Sequence, residues 1–218
     1  DLINAINNIG YQALTVRSAT KVRKDLIDAC PGLKLIGRGG VGMDNIDVDY
    51  ARSKGIAVYN TPAASSNSVA ELVFAHLYAM SRFIYESNRQ MPVTGSSHFE
   101  DLKKKYAKGV ELKGKTIGII GIGRIGQAVA QIALGSGMSV ISHDPFIKKV
   151  DITLDIQGFN PKPVITIDTV SLDEVLMQSD FITVHVPGGK LIGKDEIARM
   201  KKGVCIVNAS RGGVIDEH

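Results

Sequence analysis

Thr116-Ile117-Gly118-Ile119-Ile120 runs directly into Gly121-Ile122-Gly123-Arg124-Ile125-Gly126, and that stretch into Gln127-Ala128-Val129-Ala130-Gln131-Ile132-Ala133. The first segment is apolar and β-branched, as a buried strand requires, and the last is built of helix formers. The glycines between them fit G-x-G-x-x-G. Gly121 allows the tight turn, Gly123 the close approach of a pyrophosphate, and Gly126 the packing of helix on strand. A helix that starts there offers free N–H groups and the positive end of its dipole to phosphate. Asp144 ends the next strand, Ser139–His143, near the roughly 20-residue spacing of the ribose-binding acid. A carboxylate there accepts hydrogen bonds from the adenosine 2′-hydroxyl and repels a 2′-phosphate. No arginine follows it closely, so the pattern predicts NAD rather than NADP. A glycine turn without a ligand would need only the glycines, whereas here strand, loop, helix and acid are all in register.

Outward from this motif, short apolar strands alternate with helices, the pattern of parallel α/β sheets. Toward the N-terminus, strands are predicted at Ala13–Val16, Leu33–Ile36 and Ile56–Tyr59, and helices at Val22–Ala29 and Asp47–Ser53. Ser68 to Tyr85 reads as the longest helix, with Val69, Leu72, Val73, His76, Leu77 and Met80 on an apolar face. Arg89 to Gly109 reads as a polar connection carrying a short helix near Phe99–Tyr106. Beyond the motif come a helix at Leu172–Gln178, a strand at Phe181–Val184, a helix at Asp195–Met200 and a last strand at Val204–Asn208. The expected architecture is α/β: a doubly wound parallel Rossmann sheet over residues 85–218 and a smaller α/β unit over residues 1–84.

Composition narrows the function. The chain has 218 residues, 44% hydrophobic and 22% charged, so it can bury a core. No apolar run reaches the roughly 18 residues of a membrane span, and Asp1-Leu2-Ile3-Asn4 lacks the start of a signal peptide. Cys30 and Cys205 stand far apart and follow no metal-ligand spacing, so neither a disulfide scaffold nor a metal site is expected. These features point to a reducing, cytoplasmic setting without a membrane partner. Net charge is +4 and aromatic content 6%, with no Trp, which supplies nucleic acid with few stacking surfaces.

Further candidates sit at strand ends. The last strand leads into Asn208-Ala209-Ser210-Arg211-Gly212-Gly213. Arg211 therefore stands where a planar guanidinium could hold an anion, or is a surface arginine beside a turn. Arg17-Ser18 and Gly39-Gly40-Val41-Gly42 follow the first two strands. Free backbone N–H groups beside an arginine make a small carboxylate site, although Arg17 by itself reads as a solvated side chain. His185 reads as a structural strand-end histidine more readily than as an acid/base group, and His143 as structural. His76 reads as a core residue, while His98 and His218 are assigned no role.

The chain resembles the D-2-hydroxyacid dehydrogenase family over nearly its whole length. The matching stretches are Val16–Val22, Ile36–Asp47, Asn60-Thr61-Pro62 with Ser68–Glu71, Leu112–Thr116, Gly121–Gly126, His185-Val186-Pro187, and Met200–Gly203 leading into Asn208–Glu217. The resemblance implies a flavodoxin-like substrate domain and a Rossmann NAD domain with the active site in the cleft between them. Residue by residue, it puts Arg211 on the catalytic arginine that holds the substrate carboxylate and carbonyl and also borders the cofactor. Gly121, Gly123, Arg124, Ile125 and Gly126 fall on the pyrophosphate loop and Asp144 on the ribose acid. Val186 and Ala209 line the cofactor. Arg17, Ser18, Gly40 and Val41 face the substrate carboxylate, Val41 also the nicotinamide.

The implied activity is hydride transfer between a D-2-hydroxy acid and NAD, most like the members that turn 3-phosphoglycerate into 3-phosphohydroxypyruvate in serine biosynthesis. Alternatives are a glycerate or hydroxypyruvate reductase, an NAD-sensing corepressor, and a fragment that binds cofactor alone. Arg38 and Lys21 are candidate partners for a substrate phosphate. A homodimer is implied, as are a 2-hydroxy or 2-keto acid partner and no nucleic acid. The family's catalytic set continues after Arg211 with a glutamate and a histidine that fall beyond His218. A strand before Asp1 and a longer loop after Pro187 are also expected from the family pattern. Ser65 stands where some members carry an asparagine near the substrate.

Overall fold

The computed structural model describes residues 2–217, so His218 lies outside the described residues. The chain divides between Ser65 and Ser66 into two compact units. In the first, α1 (Leu2–Ile9), β1 (Ala13–Val16), α2 (Lys24–Ala29), β2 (Leu35–Arg38), α3 (Val48–Ser53) and β3 (Ala57–Asn60) follow one another. The three strands form an all-parallel sheet in the order β1-β2-β3. Ile6, Val16, Val22, Ile27, Leu33, Ile36, Ala51 and Val58 lie in its core. Two predicted boundaries shift for local reasons. Val22 is held in a parallel bridge to Ile46 and Arg23 is extended, so α2 starts at Lys24. The Leu33 amide still donates to the Cys30 carbonyl in the turn that closes α2, so β2 starts at Leu35.

The second unit contains α4 (Ser66–Ser81), α5 (Ile84–Tyr106), β4 (Thr116–Ile120), α6 (Arg124–Gly135), β5 (Ser139–His143), β6 (Lys149–Thr153), β7 (Val164–Asp168), α7 (Leu172–Gln178), β8 (Phe181–Val184), α8 (Lys194–Ala198) and β9 (Cys205–Asn208). Four strands pair in parallel in the order β5-β4-β8-β9. The chain moves outward from β4 to β5 and then returns to the other side of β4 as β8. This is the doubly wound reversal, and in such sheets ligands bind at the carboxyl ends of the strands where the order reverses. Side chains alternate across the sheet. Ile117, Ile119, Phe181 and Val207 pack with Ala70, Val73 and Leu77 of α4 and Val129 and Ala133 of α6. Ile120, Ile182 and Val184 pack with Val175 and Leu176 of α7 on the other face.

The domain boundary differs from the sequence expectation of 84/85, because α4 sends Ala70, Val73 and Leu77 into the core of the second unit. The apolar face of α4 is rotated from the predicted one. Ala70, Val73, Phe74 and Leu77 are buried, while Leu72 and Met80 are exposed and His76 faces solvent rather than the core. The polar connection proves to be helical as far as Tyr106, apart from a break at His98. The α5 segment leaves helical geometry only at His98. Lys105 Nζ lies 2.7 Å from Glu86 and the Tyr106 hydroxyl donates to Gln90 at 2.8 Å. A straight helix would separate such residues by tens of ångströms at about 1.5 Å per residue. The segment is therefore two antiparallel arms folded at His98, and the predicted short helix is the second arm.

The antiparallel β6–β7 hairpin was not expected. Ile152 and Ile167 are buried on its inner face, and the Gln131 side chain donates to the Thr153 carbonyl. Its signal is present in Lys149-Val150-Asp151-Ile152-Thr153, an alternation of period two followed by Gly158, Asn160 and Pro161.

Leu77 is fully enclosed between α4 and the sheet of the second unit. Leu77→Ala should destabilise that unit by about 2–5 kcal/mol. Native-state hydrogen exchange should show faster exchange at β4 and α6 and none of the change at β1–β3. Loss of protection confined to β1–β3 would contradict the division at Ser65–Ser66.

Candidate functional site

The turn from β4 to α6 is shaped by close backbone contacts. Gly121 has φ +92°, and a Cβ there would lie 2.8 Å from the His185 carbonyl oxygen. A Cβ at Gly126 would lie 2.2 Å from the Gly121 carbonyl oxygen, so no side chain fits between the first turn of α6 and the loop. A Cβ at Gly123 would meet nothing within 4 Å, which leaves that peptide open on its outer side. Helix geometry leaves the first N–H groups of α6 without intrahelical partners. Ile122, by contrast, is completely buried and the two peptide groups that flank it are both held. Its N–H donates to Asp144 Oδ2 at 3.1 Å, and its carbonyl accepts from Gln127 Nε2 at 3.1 Å.

Asp144, directly after β5, is half-buried. Its other oxygen, Oδ1, accepts from the amides of Phe146 at 2.9 Å and Ile147 at 3.1 Å. Around these residues lies a pocket of about 460 Å³. Its walls include Gly121, Gly123, Asp144, Phe146, His185 and Val186. The structure thus brings Gly121, Gly123, Asp144 and Val186 to one pocket. Arg124, Ile125 and Gly126 continue the loop as the first turn of α6. Ala209 packs on the neighbouring core, and Arg211 follows β9 in a separate turn. Phe146, 91% exposed, and Leu191 were missed by the sequence reading. An aromatic directly after an Asp-Pro at the strand end was the available signal for Phe146.

The Arg211 turn is organised by Asn208. The Asn208 Nδ2 donates to the Arg211 carbonyl at 2.8 Å, and Asn208 Oδ1 accepts from the Ser210 amide and hydroxyl. The guanidinium of Arg211 donates to the Ser210 carbonyl at 3.0 Å. In the first unit, Asn45 ties the Arg17 and Thr20 carbonyls at 2.9 and 2.6 Å, and Asn60 holds the Val41 carbonyl at 2.6 Å. The Arg38 guanidinium lies directly over Gly40, whose φ of +149° is a conformation that favours glycine. Arg17 packs against Gly39. Arg17 and Arg38 give the 39–42 loop a cationic border, while the Gly39 and Gly40 amides already donate to the Val16 and Arg38 carbonyls at 2.9 Å. Ser18 is exposed beside it.

The two pocket histidines have different environments. His143 Nδ1 donates to the Val170 carbonyl at 2.9 Å, a structural bond. His185 is partly covered as a residue, yet its Nδ1 is fully enclosed without a hydrogen-bond partner, while Nε2 meets the Thr183 hydroxyl at 2.9 Å. Burial pushes its pKa down to about 4. A histidine that stays neutral in this way is poorly suited to exchange protons near neutral pH.

The geometry fits a dinucleotide on observations internal to the chain: an open peptide at Gly123, an unobstructed helix start, and a carboxylate at the end of β5. Comparison with known proteins agrees. Residues 74–218 match the model of the D-isomer specific 2-hydroxyacid dehydrogenase, NAD binding domain. The chain belongs to the D-2-hydroxyacid dehydrogenase family. It is 45% identical over 208 residues to a hydroxypyruvate reductase of Thermotoga maritima, covering 94% of this chain and 62% of that protein. It is 44% identical over 209 residues to a D-3-phosphoglycerate dehydrogenase of Methanocaldococcus jannaschii, covering 94% of this chain and 37% of the relative. Among solved structures, the D-lactate dehydrogenase of Aquifex aeolicus, complexed with NAD and lactic acid, superposes with a TM-score of 0.71 at 33% identity. That match covers 96% of this chain and 60% of the other. Among the described residues no helix is long and apolar enough to cross a membrane.

The depressed His185 pKa has a consequence for stability. The unfolded chain takes up a proton near its ordinary pKa of about 6.5, and the folded chain only near 4. Stability contributed by neutral His185 is thus complete above pH 6.5 and is lost as pH falls toward 4, by about 3 kcal/mol in all. Urea unfolding between pH 7 and 4 should show that loss, and His185→Gln should flatten it. An unchanged slope in the variant would contradict a buried neutral imidazole.

Proposed function

We propose that the full-length protein oxidises a D-2-hydroxy acid with NAD, and that the acid is 3-phosphoglycerate, giving 3-phosphohydroxypyruvate. The observation that carries the substrate choice is the pair of arginines at the glycine loop of the first unit, Arg17 with its Cγ against Gly39 and Arg38 with its guanidinium over Gly40. A carboxylate needs one such partner. A phosphate ester on the same small molecule calls for a second.

In this reading Arg124, Ile125 and the open Gly123 peptide receive the pyrophosphate, Asp144 the adenosine ribose, and Val186, Ala209 and Val41 border the cofactor. When bound, NAD supplies the hydride acceptor for the hydrogen on C2. Arg211 holds the carboxylate and the C2 oxygen of the substrate, and Arg17, Ser18 and the Gly40-Val41 loop face the anion. The hydroxyl proton goes to the histidine that follows Arg211 in the family. His185 remains a neutral structural group. Two free cysteines, Cys30 buried and Cys205 half-buried, support a reducing, cytoplasmic location.

We also propose a homodimer, built on the second unit. Met80 of α4 and Tyr85 of α5 are large and exposed, and they line one groove together with Ala75, Ala79 and Phe83. Isolated exposed apolar residues are ordinary, but a group of this size on adjacent elements marks an interaction surface. Sedimentation should show a dimer at micromolar concentration, and a monomer would remove this reading.

Turnover tests the substrate. The full-length protein should reduce 3-phosphohydroxypyruvate with a higher kcat/KM than hydroxypyruvate. Arg38→Ala should lower the value for the phosphorylated substrate about tenfold or more while sparing the other. A preference for hydroxypyruvate with no selective effect of Arg38→Ala would favour the reductase, the activity named for the Thermotoga relative. Arg211→Ala should lower kcat/KM for both substrates by roughly 10²–10³ with little change in NADH affinity, because an unpaired carboxylate costs about 2–5 kcal/mol. Near-normal turnover would remove Arg211 from the reaction.

A further inference from the structure

The two peptide groups that flank Ile122 in the phosphate loop are both held by side chains. Asp144 Oδ2 accepts the Ile122 N–H, Gln127 Nε2 donates to the Ile122 carbonyl, and the Ile122 side chain is sealed in the core. Asp144 is itself immobilised, because Oδ1 already accepts the two amides of the turn that begins after Pro145. The carboxylate therefore links two loops that are distant in sequence: the one entering α6 and the one leaving β5. Each oxygen of a carboxylate offers about two acceptor positions. Oδ1 has both in use. Oδ2 has one remaining, so a ribose hydroxyl can be accepted only there unless a backbone donor is released.

We propose that Asp144 and Gln127 are positioning residues for the pyrophosphate loop, clamping the peptide groups that flank Ile122 so that Gly123 and the first amides of α6 are held in the orientation that receives phosphate; Asp144 thus acts on phosphate binding independently of any contact with the ribose. The proposal rests on the reading of Gly121–Gly126 as the NAD pyrophosphate loop. The physical reason is that a loop with three glycines has a wide choice of backbone conformations, and fixing it on binding costs free energy at each residue. A hydrogen bond to an ionised group that is already made in the free protein removes part of that cost.

The two roles of Asp144 separate with a ligand that has no ribose hydroxyls to offer it. NAD⁺ and its analogue carrying 2′,3′-dideoxyadenosine are titrated calorimetrically into the full-length protein and into the Asp144→Ala and Gln127→Ala variants. The clamp predicts that Asp144→Ala weakens the dideoxy analogue by about tenfold, as well as NAD⁺. Gln127→Ala, which keeps a good helix former near the start of α6, should weaken both ligands by the same several-fold factor. Hydrogen exchange should show the Ile122 amide exchanging faster in Asp144→Ala while amides of β4 and of Val129 in α6 keep their protection, which separates loosening of the loop from unfolding. If Asp144→Ala weakens NAD⁺ but leaves the analogue unchanged, the carboxylate only reads the ribose and the clamp is refuted. Unchanged affinity in Gln127→Ala would refute its half of the clamp. If the unaltered protein binds neither ligand, the nucleotide reading itself fails, and the clamp with it.

Discussion

The second unit is built around one close approach: the first turn of α6 against the end of β4, where a Cβ at Gly126 would sit 2.2 Å from the Gly121 carbonyl oxygen. That approach lets Ile122 drop fully into the core and allows α6 to lie flat on Ile117 and Ile119. It also aims the start of α6 at the pocket beside Asp144. In the proposed function, core packing and anion binding therefore share a constraint. A side chain at Gly126 would push the helix from the sheet and turn its first amides away from the pocket. The reversal of strand order around β4 places this turn where the sheet has no crossover to cover it.

Residues 116–144 were the most legible part of the sequence because local and global requirements coincide there. The β-branched strand, the glycine spacing, the helix formers and the acid each have one reading, and they agree. Strand placement in the first unit was legible to within two residues for the same reason. Legibility fell where tertiary contacts outweigh local preference. The first arm of α5 contains Pro92 and Gly95, which argue against helix, yet the fold at His98 brings Glu86 to Lys105 and Gln90 to Tyr106. The face of α4 was misjudged because Leu72 and Met80 share its helical period but point outward, and Ala70 and Phe74 take their place inside.

The candidate site shows the same division. Glycines and charged residues at strand ends were readable, because few residue types satisfy those positions. The asparagines that tie loops together were not, since Asn45 and Asn60 act through hydrogen bonds to backbone carbonyls 19 to 28 residues away in the chain. The double attachment of Asp144 was equally hidden. A sequence motif marks the acid by its distance from the glycines, whereas its bonds to Ile122, Phe146 and Ile147 exist only once β4 and β5 are paired.

The central claim is that the start of α6 receives the pyrophosphate of NAD. Amide NMR of the protein titrated with NAD⁺ reads this directly. The largest shifts should fall on Gly123, Arg124 and Ile125, with smaller ones at Phe146 and Val186 on the pocket wall. Saturating NAD⁺ that leaves the Gly123–Ile125 amides unmoved while shifting residues elsewhere would contradict the account.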